Sequence, residues 1–310
     1  MKKVFIDGSA GTTGLRIGER LKGRDDIMML SLPEESRKDA KSRKEMLNLC
    51  DIVFLCLPDE AAREAVSMIE NPQVTVIDTS TAHRTEAGWV YGFPELSEDI
   101  EASLINSKRI AVPGCHASGF IALVRPLTES GILDKDARLT CHSVTGYSGG
   151  GKKMIAQYED NQRDALLNAP RQYGLNQNHK HLREMKKLCG LENEPIFCPI
   201  VSDFYSGMEV TVPVFASQLK NGKTAEDIKS LYSKKYSGEI VKYRELSDAD
   251  GMLSAAGMSG KDSMEISVFG NQDRILLTAR YDNLGKGASG AAVEILNMLL
   301  KTEKSKGLEL

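Results

Sequence analysis

No apolar run in this 310-residue chain approaches the ~18 residues that a membrane-spanning helix needs. Its six cysteines include no Cys-x-x-Cys pair, so neither a disulfide scaffold nor a structural zinc site is expected. The net charge of −3 is nearly even, which removes the electrostatic case for nucleic acid or a membrane surface as main partner. Internal repeats and low-complexity linkers are absent as well. The opening Met1-Lys-Lys-Val-Phe-Ile6 enters a strand pattern at once, without the apolar core and cleavage site of a secretory signal, so the cytoplasm is the expected location. What is there is an ordinary composition, 41% hydrophobic and 27% charged, in a chain long enough for about two domains.

Over the first 114 residues, short apolar runs alternate with amphipathic stretches. Lys3–Asp7, Met28–Leu32, Ile52–Cys56, Val74–Asp78 and Arg109–Val112 read as strands, and Leu15–Leu21, Arg37–Leu49 and Glu60–Ile69 as helices. Such alternation with short connections predicts an α/β domain, a parallel sheet covered on both faces with right-handed crossovers. The second half changes character. Its strands are longer and β-branched, at Arg138–Thr145, Pro195–Val201, Glu209–Phe215, Met264–Val268 and Arg274–Ala279. Helical stretches interrupt them near His181–Leu188 and Thr224–Tyr236, the latter opening on the capping pair Thr224 and Asp227. This predicts an α+β domain on a mixed or antiparallel sheet. A last helix over Gly290–Leu300 follows the glycine-rich Leu284–Gly290, and the polar Lys301–Leu310 are expected to fray.

The first strand runs into Gly8-Ser-Ala-Gly11-Thr12-Thr13-Gly14 and then a helix. Glycine there lets the backbone turn tightly and approach a pyrophosphate, whose charge faces the helix N-terminus. The spacing is G-x-x-G-x-x-G rather than G-x-G-x-x-G, and the competing reading is a plain strand-to-helix turn. Where an NAD site has an acidic residue, strand two ends at Ser31, with Arg37 and Lys38 close behind. Serine with basic neighbours suits a 2′-phosphate, so NADP is expected, although Glu34 and Glu35 pull the other way. Leu57 and Ser80 follow strands three and four. Ligands sit at the carboxyl ends of parallel strands, which brings both to the same pocket.

Chemistry concentrates in Ile110-Ala-Val-Pro-Gly-Cys115-His-Ala-Ser-Gly119. Cys115 falls at or near a helix start, where spare N–H groups and the helix dipole stabilise a thiolate. It follows the fifth strand, so nucleophile and nucleotide are expected to share one crevice. The competing reading is a small residue filling a tight turn. Further on, Gly146-Tyr-Ser148-Gly149-Gly-Gly151-Lys-Lys153 offers close backbone approach and N–H groups for an anion, or else a flexible turn. His179 and His181, two of only five histidines, stand beside a helix start. One of them is the acid/base candidate, with preference for His181; surface histidines are the alternative. Arg84, on the loop after strand four, has the geometry to hold a carboxylate or phosphate bidentately. Cys115-His116 and Cys141-His142 also raise a metal site, but on strands the two members of each pair point to opposite faces.

Seven segments together resemble the N-acetyl-γ-glutamyl-phosphate reductases, in the shorter of two forms, relatives of the aspartate-semialdehyde dehydrogenases. They are GSAGTTG (8–14), the Asp78–Arg84 loop, WVYGFPEL (89–96), VPGCHASG (112–119), GYSGGGKK (146–153), GLNQNHKHLREM (174–185) and DNLGKGASGAA (282–292). The ordered set spans nearly the whole chain. The resemblance implies a Rossmann domain over 1–114 and 285–310, and a catalytic and oligomerisation domain over 115–284. It implies NADP(H)-dependent reduction of the acyl phosphate to a semialdehyde in arginine biosynthesis, by a homodimer or homotetramer. Cys115 carries over as nucleophile and His179/His181 as the source of the base. Asn283 falls at the nicotinamide end; Ser148 and Gly149 are further cofactor-binding candidates, and Arg84 and Glu184 substrate-binding ones. One departure is Arg183, where proline is expected before Glu184. The implied mechanism is a Cys115 thioester reduced by hydride. Aspartate-semialdehyde dehydrogenase, a non-catalytic NADP-binding regulator and a metal-dependent hydrolase are the rival readings.

Overall fold

A computed structural model describes all 310 residues. They form two compact units, Met1–Pro113 with Ala288–Leu308, and Gly114–Gly287 with Glu309–Leu310. In the first, strands and helices alternate: β1 (Lys2–Asp7), α1 (Thr12–Leu21), β2 (Ile27–Leu30), α2 (Ala40–Leu49), β3 (Ile52–Leu55), α3 (Asp59–Ser67), β4 (Thr75–Asp78), β5 (Val90–Tyr91), α4 (Glu98–Asn106) and β6 (Arg109–Ala111). All pairings are parallel, in the order β2-β1-β3-β4-β6-β5. The order reverses at β1, which makes the ends of β1, β2 and β3 the switch point where such sheets bind ligands.

Both faces of this sheet are covered, so β3 and β4 are buried along their whole length. Val4, Ile6, Phe54 and Ile110 pack on one face with Ile17 of α1 and with Ala291, Ile295 and Leu296 of the chain's last helix. Phe5, Val53, Leu55 and Val76 pack on the other with Leu47 of α2 and Ala62 and Ala65 of α3. α2 starts three residues later than its apolar spacing predicts. Asp39 decides this by capping the helix, its carboxylate accepting from the Ser42 N–H at 2.7 Å.

The second unit contains α5 (Cys115–Glu129), β7 (Thr140–Gly146), α6 (Gly151–Glu159), β8 (Arg171–Gln172), α7 (His181–Leu188), β9 (Ile196–Ser202), β10 (Met208–Phe215), α8 (Ala225–Lys235), β11 (Val241–Tyr243), β12 (Met264–Gly270) and β13 (Arg274–Tyr281). Its seven strands run in the order β11-β12-β13-β10-β7-β9-β8, with β7 parallel to β9 and antiparallel to β10. The sheet is mixed, as the pattern predicts. α5 lies against β10, β13 and α7, and α8 against β12. The register of β7, β9, β10 and β13 places Ile196, Phe215 and Leu276 together on the other face, all exposed. The chain then ends in α9 (Gly290–Leu300), the helix that completes the first unit's core.

α5 carries Pro126 in its interior, which removes an N–H and leaves the Ala122 carbonyl without its usual intrahelical donor. The Tyr236 hydroxyl donates to that carbonyl at 2.6 Å, and Tyr232 donates to the carbonyl of Leu123. A proline is thus tolerated in the helix that starts with Cys115.

The expected fraying of Lys301–Leu310 does not occur. Asn297 donates to the carbonyls of Lys304 and Lys306, Leu308 packs on the first unit's core, and the Glu309 N–H donates to Asp262. Polar composition misleads here because the segment's backbone groups find partners outside it, at Asn297 and Asp262. No helix is long and apolar enough to cross a membrane.

Candidate active site

β1 ends at Asp7, and Gly8 turns the chain with φ at +91°. A Cβ there would lie 2.2 Å from the Cys56 carbonyl oxygen, so no other residue fits without displacing backbone. The Gly11 N–H returns to the Gly8 carbonyl at 3.0 Å, and Gly11 caps α1. Thr12, Thr13 and Gly14 therefore form the helix's open first turn, where N–H groups lack intrahelical acceptors. A Cβ on Gly14 would meet the Gly8 oxygen at 2.5 Å. This turn borders a cavity of about 740 Å³ that Ser31, Arg37, Lys38, Arg43 and Leu57 also line. Arg43 gives Nε and Nη2 to Asp7, at 3.2 and 2.9 Å, and Nη1 to Glu64 at 3.3 Å. The glycine cradle, the open helix turn and the cations beside Ser31 fit a dinucleotide with an extra phosphate.

Two further residues of the first unit, Ser80 and Arg84, lie on the loop after β4. The Ser80 hydroxyl donates to Asp78 at 2.7 Å, which also holds His83 Nδ1 at 2.6 Å. Arg84 donates to the carbonyls of Val112 and Thr79, at 2.9 and 3.0 Å, and so braces the loops after β6 and β4.

In the second unit Cys115 is the first residue of α5, behind the cap Gly114, and is half-buried. A thiolate at that position gains from the first-turn N–H groups. The turn is held from two sides. The Gly114 N–H donates to Glu184 Oε2 at 3.1 Å, and the Tyr281 hydroxyl accepts from the Gly119 N–H at 3.0 Å while donating to the Cys115 carbonyl. Cys115 opens on a cavity of about 420 Å³ lined by Thr145, Gly149, Met154, Arg171, Tyr173, His179, Lys180 and His181.

The rings of His179 and His181 lie 4.6 Å apart, and that of His116 lies 6.0 and 5.6 Å from them. His116 is buried, with Nδ1 on Ser143 Oγ and Nε2 on the Tyr173 hydroxyl, both at 2.7 Å. Burial, reinforced by His179, pushes its pKa down to about 3, so it stays neutral. Burial likewise pushes the Tyr173 phenol up, and the Cys115 charge adds to this. The Cys50 and Cys56 thiols are raised by burial to about 11 and about 12, and Cys141 and Cys189 are raised too. These four remain thiols at neutral pH.

Asn283 accepts from the Gly207 N–H at 2.9 Å and donates to Ser148 Oγ at 3.0 Å, with Gly149 beside it. Glu184, expected at the substrate, is 1% exposed and holds the start of α5. The Cys115-His116 pair lies on a helix rather than a strand. Cys141 is buried and His142 exposed on β7, and no group of three His, Cys, Asp or Glu residues is placed to hold a metal. Sequence reasoning missed Arg43, His116, Arg171 and Tyr173. Only His116 carried a signal, its place next to Cys115. Arg171 and Tyr173 reach the cavity through the pairing of β8 with β9, which has no local signature.

A parallel nucleotide-type sheet in one unit, and in the other a mixed sheet beneath a helix that begins with cysteine, define a class. It is that of nicotinamide-dependent dehydrogenases with a cysteine nucleophile. Residues 5–103 match the semialdehyde dehydrogenase NAD binding domain, and residues 115–283 the semialdehyde dehydrogenase dimerisation domain. The chain belongs to the semialdehyde dehydrogenase family, among its N-acetyl-γ-glutamyl-phosphate reductases. N-acetyl-gamma-glutamyl-phosphate reductase 2 of a Nostoc species is 45% identical, over 99% of both chains. The reductase of Sinorhizobium fredii is also 45% identical, over 96% of this chain and 98% of its own. In fold the chain is similar to aspartate semialdehyde dehydrogenase II of Vibrio cholerae, crystallised with ASA (TM-score 0.74, 18% identity, 97% and 98% of the two chains). It is also similar to the Candida albicans aspartate semialdehyde dehydrogenase with NADP (TM-score 0.66, 16% identity, 97% and 99%).

Proposed function

We propose that this chain reduces N-acetyl-γ-glutamyl phosphate to N-acetylglutamate semialdehyde and phosphate with NADPH, a step of arginine biosynthesis. The observation that carries this reading is Cys115 at the first position of α5, in a cavity shared with His179, His181, Arg171 and Lys180. Residues 1–114 with 285–310 form the nucleotide domain, and residues 115–284 the catalytic and oligomerisation domain. Gly8, Gly11, Thr12, Thr13 and Gly14 receive the pyrophosphate, Ser31 and Arg37 the 2′-phosphate, and Leu57 packs on the cofactor. Ser80, Ser148, Gly149 and Asn283 complete its site.

The Cys115 thiolate forms a C–S bond to the γ-acyl carbon while the bond from that carbon to the phosphate oxygen breaks. Phosphate leaves and a thioester remains, so one hard step becomes two easier ones. NADPH, when bound, supplies the hydride that reduces this acyl group. The His179/His181 pair gives a proton to the alkoxide oxygen and takes it back as the C–S bond breaks and the aldehyde forms. Arg171 and Lys180 offer charge to the carboxylate and phosphate. Arg84 and Glu184 act on the substrate side, Glu184 by holding α5 in place. The chain works as a homo-oligomer, a homodimer or homotetramer, with Ile196, Phe215 and Leu276 on the face that meets a second copy.

The test is the reverse reaction, read at about 340 nm with N-acetylglutamate semialdehyde, phosphate and NADP⁺. Absorbance is expected to rise, and to stay flat without phosphate. Aspartate semialdehyde turning over with an equal or higher kcat/KM would replace this substrate with the shorter one.

A further inference from the structure

We infer that Glu184 is a positioning residue that gives the two neighbouring histidines different jobs, so that His181 carries the proton while His179 stays neutral and donates through Nε2. The catalytic part rests on the function proposed above; the geometry stands on three contacts. The His181 backbone N–H donates to His179 Nδ1 at 3.2 Å. A ring nitrogen that accepts a hydrogen bond holds no proton, so the proton of His179 sits on Nε2. Adding a second proton would break the contact with the first residue of α7.

His181 is placed for the opposite behaviour. Its Nε2 lies 3.7 Å from Glu184 Oε1, one helical turn along α7. An opposite charge within ~4–6 Å favours the ionised imidazole. Glu184 is 1% exposed, so water and salt screen the pair weakly. The other carboxylate oxygen of Glu184 accepts from the Gly114 N–H, directly before Cys115. One side chain therefore holds the proton carrier and the start of the nucleophile's helix in a fixed relation.

Within the second unit, further groups around the histidine pair come from α5, β8 and β9. From α5, His116 is neutral and engaged at both nitrogens, and a Cys115 thiolate adds to the pull toward imidazolium. Lys180, just before α7, and Arg171 of β8 line the same cavity and oppose it, while Tyr173 is an un-ionised phenol. β9 contributes the apolar Phe197, 5.2 Å from the His179 ring. The 3.7 Å approach of Glu184 Oε1 to His181 Nε2 is the contact by which Glu184 favours the charged ring at that position.

The experiment is an imidazole NMR titration of the full-length chain, which needs no substrate. His181 is expected to titrate between about pH 5 and 8, and His179 to keep the neutral Nε2–H signature throughout. In Glu184→Gln the amide oxygen still accepts from Gly114, and the His181 midpoint is expected to fall by about one pH unit or more. The high-pH limb of kcat/KM for reduction should move down with it, with KM nearly unchanged. His181→Gln should remove that limb, whereas His179→Gln lowers kcat and keeps it. Titration of His179, or a His181 midpoint unmoved in Glu184→Gln, overturns the assignment. The wild-type tautomer signature decides the matter even if Glu184→Gln does not fold. The expected NMR pattern in a chain that fails the 340 nm assay would leave the histidine assignment standing and remove the proposed reaction.

Discussion

The cavity of the first unit gathers around the ends of three adjacent parallel strands and the glycine turn after the first, whereas that of the second draws single side chains from many separate elements. Gly8 and Gly14 serve through the atoms they lack, and the open turn of α1 offers N–H groups that almost any residue supplies. Cys115, Thr145, Met154, Arg171 and His181 come instead from α5, β7, α6, β8 and α7, each contributing a particular functional group. Phosphates are recognised by shape and charge, so backbone turns carry much of the first site, with Ser31, Arg37 and Lys38 on the same cavity. Acyl transfer needs a nucleophile and a proton carrier within reach of one carbon, so the second site needs a sheet to bring distant residues together.

The comparison is sharpened by breaking one site and reading the other. The largest effect is expected from Cys115→Ser, which should lower kcat/KM by at least ~10³-fold while NADPH affinity, read by fluorescence titration, stays within about two-fold. A serine chain with near-normal turnover would end the covalent mechanism.

Gly8→Ala should act in reverse. The added methyl meets the Cys56 carbonyl at a positive φ, so NADPH affinity is expected to fall ~10- to 100-fold, with a melting loss of about 1–3 kcal/mol. Alkylation of Cys115 by iodoacetamide should continue at the wild-type rate; a parallel loss would show that the two sites are not separable.

The smallest effect concerns the support beneath the second site. Burial holds His116 at about 3 when folded against an ordinary imidazole value of 6.5, so below pH 6.5 the unfolded chain takes up a proton that the folded chain refuses. Its contribution to stability is full above that pH and is lost as pH falls toward 3, with about 2 kcal/mol gone by pH 5. Urea unfolding at pH 7 and 5 should show this difference in the wild type and a smaller one in His116→Gln. Equal slopes would place the proton uptake on another group.

The same contrast explains what was legible in the sequence. Alternation of apolar runs marks β1 to β4 and β6: β3, buried on both faces, is wholly apolar, and the edge strand β2 is apolar too although Met28 and Met29 are exposed. β5 is two residues long, too short to show any period, and was not seen. α4 was not seen either, although Ser97 caps it by accepting from the Ile100 N–H at 3.2 Å. The glycine turn, Cys115 and the histidine pair stood out because rare residue types sit in short segments. Arg171, Tyr173 and the buried role of Glu184 did not, since each depends on strand pairing or on a partner about 70 or fewer residues away in the chain. The polar tail was misjudged for a related reason, because its partners Asn297 and Asp262 lie outside it.

α9 has a consequence for the order in which the chain is built. Val4, Ile6 and Phe54 leave the ribosome early, yet Ile295 and Leu296, which seal that face of their sheet, emerge among the last residues made. Through most of translation the nascent nucleotide sheet has one greasy side uncapped, a surface open to wrong contacts until the last turns of the chain are made. A polypeptide cut off before codon 290 would therefore keep every strand of its coenzyme half and still leave that sheet open on one side.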